Sequence, residues 1–158
     1  MRTLIALYVF CILQSAYADE LHIAEAQPVS EFWLNGGLIS RHFQTDKGLN
    51  NQNWGLGAEY RYSTTSSLTL GQFNNSDRQT SHYVGWYWQP LAINSFRFGA
   101  VMGGFDGYPR MHNGGWFPAA LPVMSYDYQR VGVNLFFIPT IRDRLYGAVS
   151  LQLKVRLY

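Results

Sequence analysis

Eight stretches of roughly ten residues occupy most of the chain, and most of them alternate apolar with small or polar side chains. The last runs to the chain end as Val149-Ser150-Leu151-Gln152-Leu153-Lys154-Val155-Arg156-Leu157-Tyr158. Successive residues of a strand point to opposite faces, so this pattern builds a sheet with one apolar and one polar side. Closed on itself, with lipid outside and a polar lumen within, such a sheet is a transmembrane β-barrel. The expected fold is therefore all-β: an eight-stranded antiparallel transmembrane β-barrel. A barrel also dictates which loops share a rim, and so brings together residues that are distant in sequence.

Composition agrees with this reading. The 158 residues suit one domain, and 15 glycines and 16% aromatics beside only 14% charged residues are the balance of a membrane barrel with aromatic girdles. No apolar run reaches the ~18 residues of a spanning helix. The mean hydropathy of -0.13 is uninformative, because alternation averages a lipid-facing surface with a polar lumen. A net charge of +2 gives no case for a nucleic-acid partner. Residues 1–18 read as a secretory signal peptide, with Arg2, an apolar stretch from Leu4 to Leu13, and Ala16-Tyr17-Ala18 as the cleavage site. The barrel domain is then 19–158. Cys11, the sole cysteine, leaves with the leader, so the mature chain has no disulfide and no thiolate metal ligand. Phe10 stands where a lipobox needs a small residue.

Residues 19–31, with Glu20, Glu25, Glu31 and Pro28, lack alternation and are expected to form a short N-terminal periplasmic arm or helix. Strands are expected over 32–43, 54–62, 67–74, 80–89, 96–104, 116–127, 131–138 and 145–157. Short connections at 63–66, 89–95 and 128–130 alternate with longer ones at 44–53, 75–79, 105–115 and 139–144. The short ones belong at the periplasmic end, with both termini, and the long ones at the outer end.

Parity assigns the faces. Trp54, Leu56, Ala58, Tyr60 and Tyr62 face lipid, leaving Gly55, Gly57, Glu59 and Arg61 inside; Phe96, Phe98, Ala100 and Met102 face lipid, leaving Arg97, Gly99, Val101 and Gly103 inside. With chain direction added, Glu59, Arg61, Arg97, Lys154 and Arg156 fall in the lower lumen. Gly55, Gly57, Gly85, Gly99, Val101, Gly103, Phe136 and Ile138 fall in the upper lumen. Small barrels normally fill their interior with side chains. The inward glycines either ease curvature or empty an apolar slot, above a polar floor, of a size for an acyl chain.

Of the four histidines, His22 lies in the arm, His82 on the lipid side, His112 in an outer loop, and His42 inward at the top of the first strand. None has the spacing or acidic neighbours of a zinc site. Ser76, in Phe73-Asn74-Asn75-Ser76-Asp77-Arg78, shares the outer rim with His42. A serine nucleophile needs such a base within reach, although Asn-Asn-Ser-Asp is also ordinary turn composition. Arg41, Lys47, Arg78, Arg110, Arg142 and Arg144 make the rim basic, against Asp46, Asp77, Asp106 and Asp143. They are either a solvated mixed-charge surface or a means of holding lipid phosphate.

From Trp86 onward the chain resembles the lipid A palmitoyltransferase (PagP) family. The residues that carry the resemblance are Gly85-Trp86, Trp88-Gln89-Pro90-Leu91-Ala92, Phe96, Gly99, Leu121-Pro122, Ser125, Tyr128, Val131 and Ile138-Pro139. In the family such prolines interrupt the sheet and let lipid pass laterally between strands. The likeness is looser in the N-terminal half, where it matches the family's catalytic histidine to His42 and its serine to Ser76. Asn75 stands where the family has aspartate. An amide can orient an imidazole but cannot stabilise an imidazolium by charge. Gly85 matches the small residue of the family's acyl-length ruler.

The resemblance implies an outer-membrane acyltransferase, monomeric, moving a palmitoyl-like chain from a phospholipid to lipid A or a related glycolipid without a cofactor. It assigns His42 as general base, Ser76 as nucleophile or essential hydroxyl, and Asn75 as orienting group. Gly85, Arg41, Arg78 and Arg110 would contact substrate. The alternatives are a non-enzymatic barrel of the same descent, for lipid binding or envelope interaction, and a lipid hydrolase using the same pair.

Overall fold

The computed structural model describes residues 20–142 and 144–158. The expected leader, and Asp143 among the rim charges, lie outside them. A two-residue strand, β1 (His22–Ile23), precedes eight long ones that close into an antiparallel barrel: β2 (Pro28–His42), β3 (Gln52–Ser63), β4 (Ser66–Asn74), β5 (Thr80–Ile93), β6 (Phe96–Phe105), β7 (Phe117–Tyr128), β8 (Val131–Ile138) and β9 (Ala148–Arg156). Each long strand pairs with its sequence neighbours, and β2 closes the ring on β9. Strands of this length match the ~9–11 residues that a tilted strand needs to cross a bilayer. The outer surface carries the exposed apolar side chains Leu34, Leu56, Leu68, Leu70, Val84 and Leu153. Phe43, Trp54, Trp116 and Phe137 lie toward the loop end of this band, and Tyr60, Tyr62, Trp88 and Tyr128 toward the end with the termini, as two girdles.

Several strand bounds are corrected. Of the two forms expected for the N-terminal segment the arm is observed, with Pro28 to Glu31 joining β2: β1 pairs with Leu91 and Ala92. Its Ala24 N–H donates to the Pro90 carbonyl, and Gln27 exchanges hydrogen bonds with Thr64. The arm therefore covers the edge of β5 that β4, starting at Ser66 opposite Trp88, leaves bare. For the same reason β5 does not stop at Gln89. It continues through Pro90 to Ile93, absorbing the missing N–H in a register shift between Trp88 and Leu91. The last strand begins at Ala148 and not at 145, because Ile141 and Leu145 bridge each other within the preceding loop.

A bulge in β2 decides which of its residues look inward. Below it Trp33 and Asn35 are buried; above it Ser40 and His42 are buried. Odd and even positions cannot both face the lumen of a regular strand. The switch falls at Gly37, where φ is +61° and the pairing to both β3 and β9 slips between Gly36 and Leu38. Only glycine takes this conformation without strain, so Gly37→Val is expected to cost about 1–2 kcal/mol, read as a lower urea midpoint of the folded barrel in detergent.

The lower lumen holds an ionic floor as expected, which Trp33, Glu31 and Asp127 join. Asp127 meets Arg61 and Arg97 at 2.7 Å each and Lys154 at 3.2 Å. Glu31 meets Arg61 at 2.8 Å and Arg156 at 2.6 Å, and Lys154 lies 3.5 Å from Glu59. Trp33, wholly buried, receives the cations of Lys154 at 4.7 Å and Arg61 at 5.2 Å on its ring. Above the floor Gln89, Ser125, Asn134 and Gln152 form a hydrogen-bonded chain across the lumen. Above that, Tyr87, Val101, Val123 and Phe136 pack as an apolar cluster.

The inward glycines divide between the two explanations. A Cβ at Gly99 or Gly103 would collide with the backbone of β5, so these two serve close strand approach. One at Gly57 or Gly71 would collide with the Tyr83 hydroxyl and also with the backbone of the neighbouring strand, so that pair both makes room for a side chain and serves close strand approach. Gly85 differs from these four in bordering empty space, with Val101 Cγ2 at 3.1 Å from where its Cβ would sit.

Candidate functional site

The apolar cluster forms one end of a cavity with about 110 Å³ of free internal volume. Its deep wall includes Gly85, Tyr87, Val101 and Phe136, and its upper wall includes His42 and Ser76. Loop residues Tyr108, Leu145 and Tyr146 complete the lining. One flank is an unpaired seam. The β7–β8 ladder stops at Val123 opposite Phe136, so the segment from Phe117 to Pro122 pairs only with β6, while Phe137 and Ile138 pair only with β9. Pro118, Pro122 and Pro139 flank this seam and have no N–H to give a ladder there. Ala119, Leu121 and Ile138 line the cavity along it.

His42 and Ser76 thus reach the same cavity, from β2 and from the loop after β4. Both are nearly buried, at 8% exposure. The His42 ring is fixed by Asn51, whose Oδ1 lies 2.7 Å from Nδ1. Ser76 is held through its backbone: its carbonyl accepts the Asn50 N–H at 3.0 Å. Its side chain lies against the hydroxyl of Tyr108, a half-buried residue of the β6–β7 loop. Burial first, and the nearby Asp77 charge second, push that phenol above its ordinary range, while the Ser76 contact draws it back. Tyr108 therefore stays a neutral hydroxyl at physiological pH.

Asn75 does not orient His42, contrary to the expectation from the resemblance. It is wholly buried in its own turn: Nδ2 donates to Ser81 Oγ at 2.9 Å and to the Gly107 carbonyl at 2.8 Å. Its Oδ1 accepts the N–H groups of Asp77 at 2.9 Å and Gln79 at 3.0 Å. Two donors and two lone pairs are all that an amide offers, so nothing remains for an imidazole. An aspartate could take the two turn N–H groups but would turn a lone pair toward the Gly107 carbonyl. The amide is what this turn requires. Asn51 and Tyr108 carry no motif that sequence reading could use; the only hint of the first was the density of asparagine at 50–53 opposite 74–75.

The three arginines assigned to substrate lie at the outer end, outside the cavity lining. Arg110 stacks on the ring of Tyr146 with 5.1 Å to its centroid and donates to its hydroxyl. Arg78 donates to the Gly48 carbonyl at 3.0 Å, tying the β4–β5 loop to the β2–β3 loop. Arg41 is exposed on the outward face of β2, beside His42 in sequence and opposite to it in direction. His82, also outward, pairs with Asp106 at 3.0 Å.

No family model and no curated protein matches the chain. Among solved structures it is similar to a de novo designed transmembrane β-barrel, with a TM-score of 0.57 at 12% identity over 84% of this chain and 100% of that one. A second designed barrel, TMB2.3, gives 0.50 at 15% identity over 84% and 96%. The outer membrane protein Ail of Yersinia pestis gives 0.50 at 11% identity over 82% and 100%. Likeness at these identities establishes the fold: a closed eight-stranded barrel of the outer-membrane type.

Proposed function

We propose that this barrel resides in the bacterial outer membrane and transfers a palmitoyl-like chain from a phospholipid to lipid A or a related glycolipid. The observation that carries the reading is the meeting of a buried histidine and a buried serine at one apolar cavity. The unpaired seam between β7 and β8 flanks the cavity and offers a bilayer lipid a place to insert one acyl chain. With the chain seated, its ester carbonyl lies at the level of His42 and Ser76. His42 accepts the proton of the attacking hydroxyl, a tetrahedral carbon forms, the donor C–O bond breaks, and the departing glycerol oxygen takes the proton back. Attack by Ser76 gives an acyl-enzyme that the acceptor hydroxyl then releases; attack by the acceptor itself leaves Ser76 as a hydrogen-bond partner. One ester replaces another, so no nucleotide, metal or cofactor is required. Arg110 at Tyr146, with Arg41 and Arg78 along the rim, supplies cations for phosphate groups of the two lipids.

Expression in a lipid A–producing bacterium tests this directly. Mass spectrometry of lipid A is expected to show the gain of one acyl chain. Unchanged lipid A with loss of phospholipid acyl chains would replace transfer by hydrolysis. No change in either pool would leave a lipid-binding barrel, a reading favoured by the absence of a carboxylate contact on His42 among the described residues. Gly85 supplies a second check. A long side chain there has to enter the cavity beside Val101, so Gly85→Met is expected to shift the transferred chain to a shorter one in the same lipid A spectra.

A further inference from the structure

We infer that Asn51 is the positioning residue for His42, and that the dipeptide Asn50-Asn51 sets the spacing between the histidine and Ser76. The inference rests on the acyl-transfer reading for its catalytic meaning, and on the geometry alone for its structural content. Asn51 Oδ1 lies 2.7 Å from His42 Nδ1. An oxygen there accepts a proton from Nδ1, which leaves Nε2 with its lone pair free to act as base. Without such a partner a neutral imidazole places its proton on either nitrogen, and the wrong tautomer has no lone pair at the reacting position.

The adjacent residue holds the other half of the site. Asn50 donates its backbone N–H to the Ser76 carbonyl at 3.0 Å. Its Nδ2 donates to Asn74 Oδ1 at 2.8 Å and to the Asn75 carbonyl at 3.2 Å. The dipeptide is itself anchored, because the Asn51 carbonyl accepts the Ser40 N–H at 2.9 Å, two residues from His42 on the same strand. Asn53 continues the link, donating to the Asn74 carbonyl at 2.8 Å and accepting from Ser40 Oγ at 2.6 Å. A base on β2 and a hydroxyl on the β4–β5 loop are thus fastened to consecutive residues of one loop. The orienting amide that the resemblance placed at position 75 is supplied at position 51, which frees Asn75 for the turn.

The test is the tautomer of His42, read from the ¹⁵N shifts of its ring in histidine-labelled barrel in detergent micelles, with His42→Gln identifying the signal. The wild-type ring, when neutral, is expected to carry its proton on Nδ1. In Asn51→Leu the signal is expected to move toward the Nε2–H form. In Asn51→Asp the Nδ1–H form is expected to return, because a carboxylate oxygen at the same place accepts the Nδ1 proton. A wild-type ring protonated on Nε2, or a tautomer unchanged in Asn51→Leu, would overturn the assignment. Acyl transfer, measured in parallel, is expected to fall roughly 10–100-fold in Asn51→Leu and to recover in Asn51→Asp. The two claims separate cleanly: the tautomer readout without any transfer refutes the proposed reaction and leaves the role of Asn51 intact, whereas transfer without the tautomer readout does the reverse.

Discussion

Asp127→Ala is expected to destabilise the barrel by about 3–5 kcal/mol, the cost of leaving buried charges without their partner. Asp127 is the carboxylate shared by Arg61, Arg97 and Lys154, at 2.7, 2.7 and 3.2 Å. Arg61 retains Glu31, and Lys154 retains Glu59 at 3.5 Å. Arg97 retains no carboxylate among the described residues, and its side chain is only 16% exposed. The lysine side chain, at 0% exposure, cannot turn to water. Arg156→Ala is the comparison: its side chain is 32% exposed, so loss of its pair with Glu31 is expected to cost under about 1 kcal/mol. Urea titrations followed by tryptophan fluorescence measure both. Equal midpoints for the two variants would mean that water reaches the floor and screens it.

The second large effect concerns activity. His42→Ala and Ser76→Ala are each expected to lower lipid A acylation by about 10²–10⁴-fold, the usual contribution of a positioned general base or its partner. Neither should much affect folding. His42 contributes one side-chain hydrogen bond, to Asn51, worth about 1 kcal/mol, and Ser76 is held through its backbone. The double variant should be no worse than the more damaging single one, because groups acting on one proton do not contribute independently. Variants that fold, judged by the same urea midpoint, and still acylate lipid A at the wild-type rate would remove this pair from the reaction. A loss in both together with a collapsed midpoint would point to structure instead, and the Asn51→Leu variant then distinguishes the cases, because it keeps both residues and is expected to lower transfer through the orientation of His42 alone.

Much of this molecule follows from local rules. Strand residues alternate faces wherever they occur, so the lipid side of β3, the inward Arg97 of β6 and the buried Gln152 and Lys154 of β9 are legible by counting. The up-and-down order of an even-stranded barrel then places the charges low and the long loops high. His42 and Ser76 shared a rim on topology alone, although their convergence on a single cavity needed the path of the chain. Tertiary structure decided what counting cannot reach. Parity fails at a bulge, and Gly37 reverses the face of β2 between Asn35 and Ser40; strict alternation would have sent either Trp33 or His42 into lipid. Pairing of side chains depends on which loops meet in space. Asn75 and Asn51 are the same residue type in similar polar loops, and only the positions of Gly107 and His42 make one a turn brace and the other a partner for the imidazole.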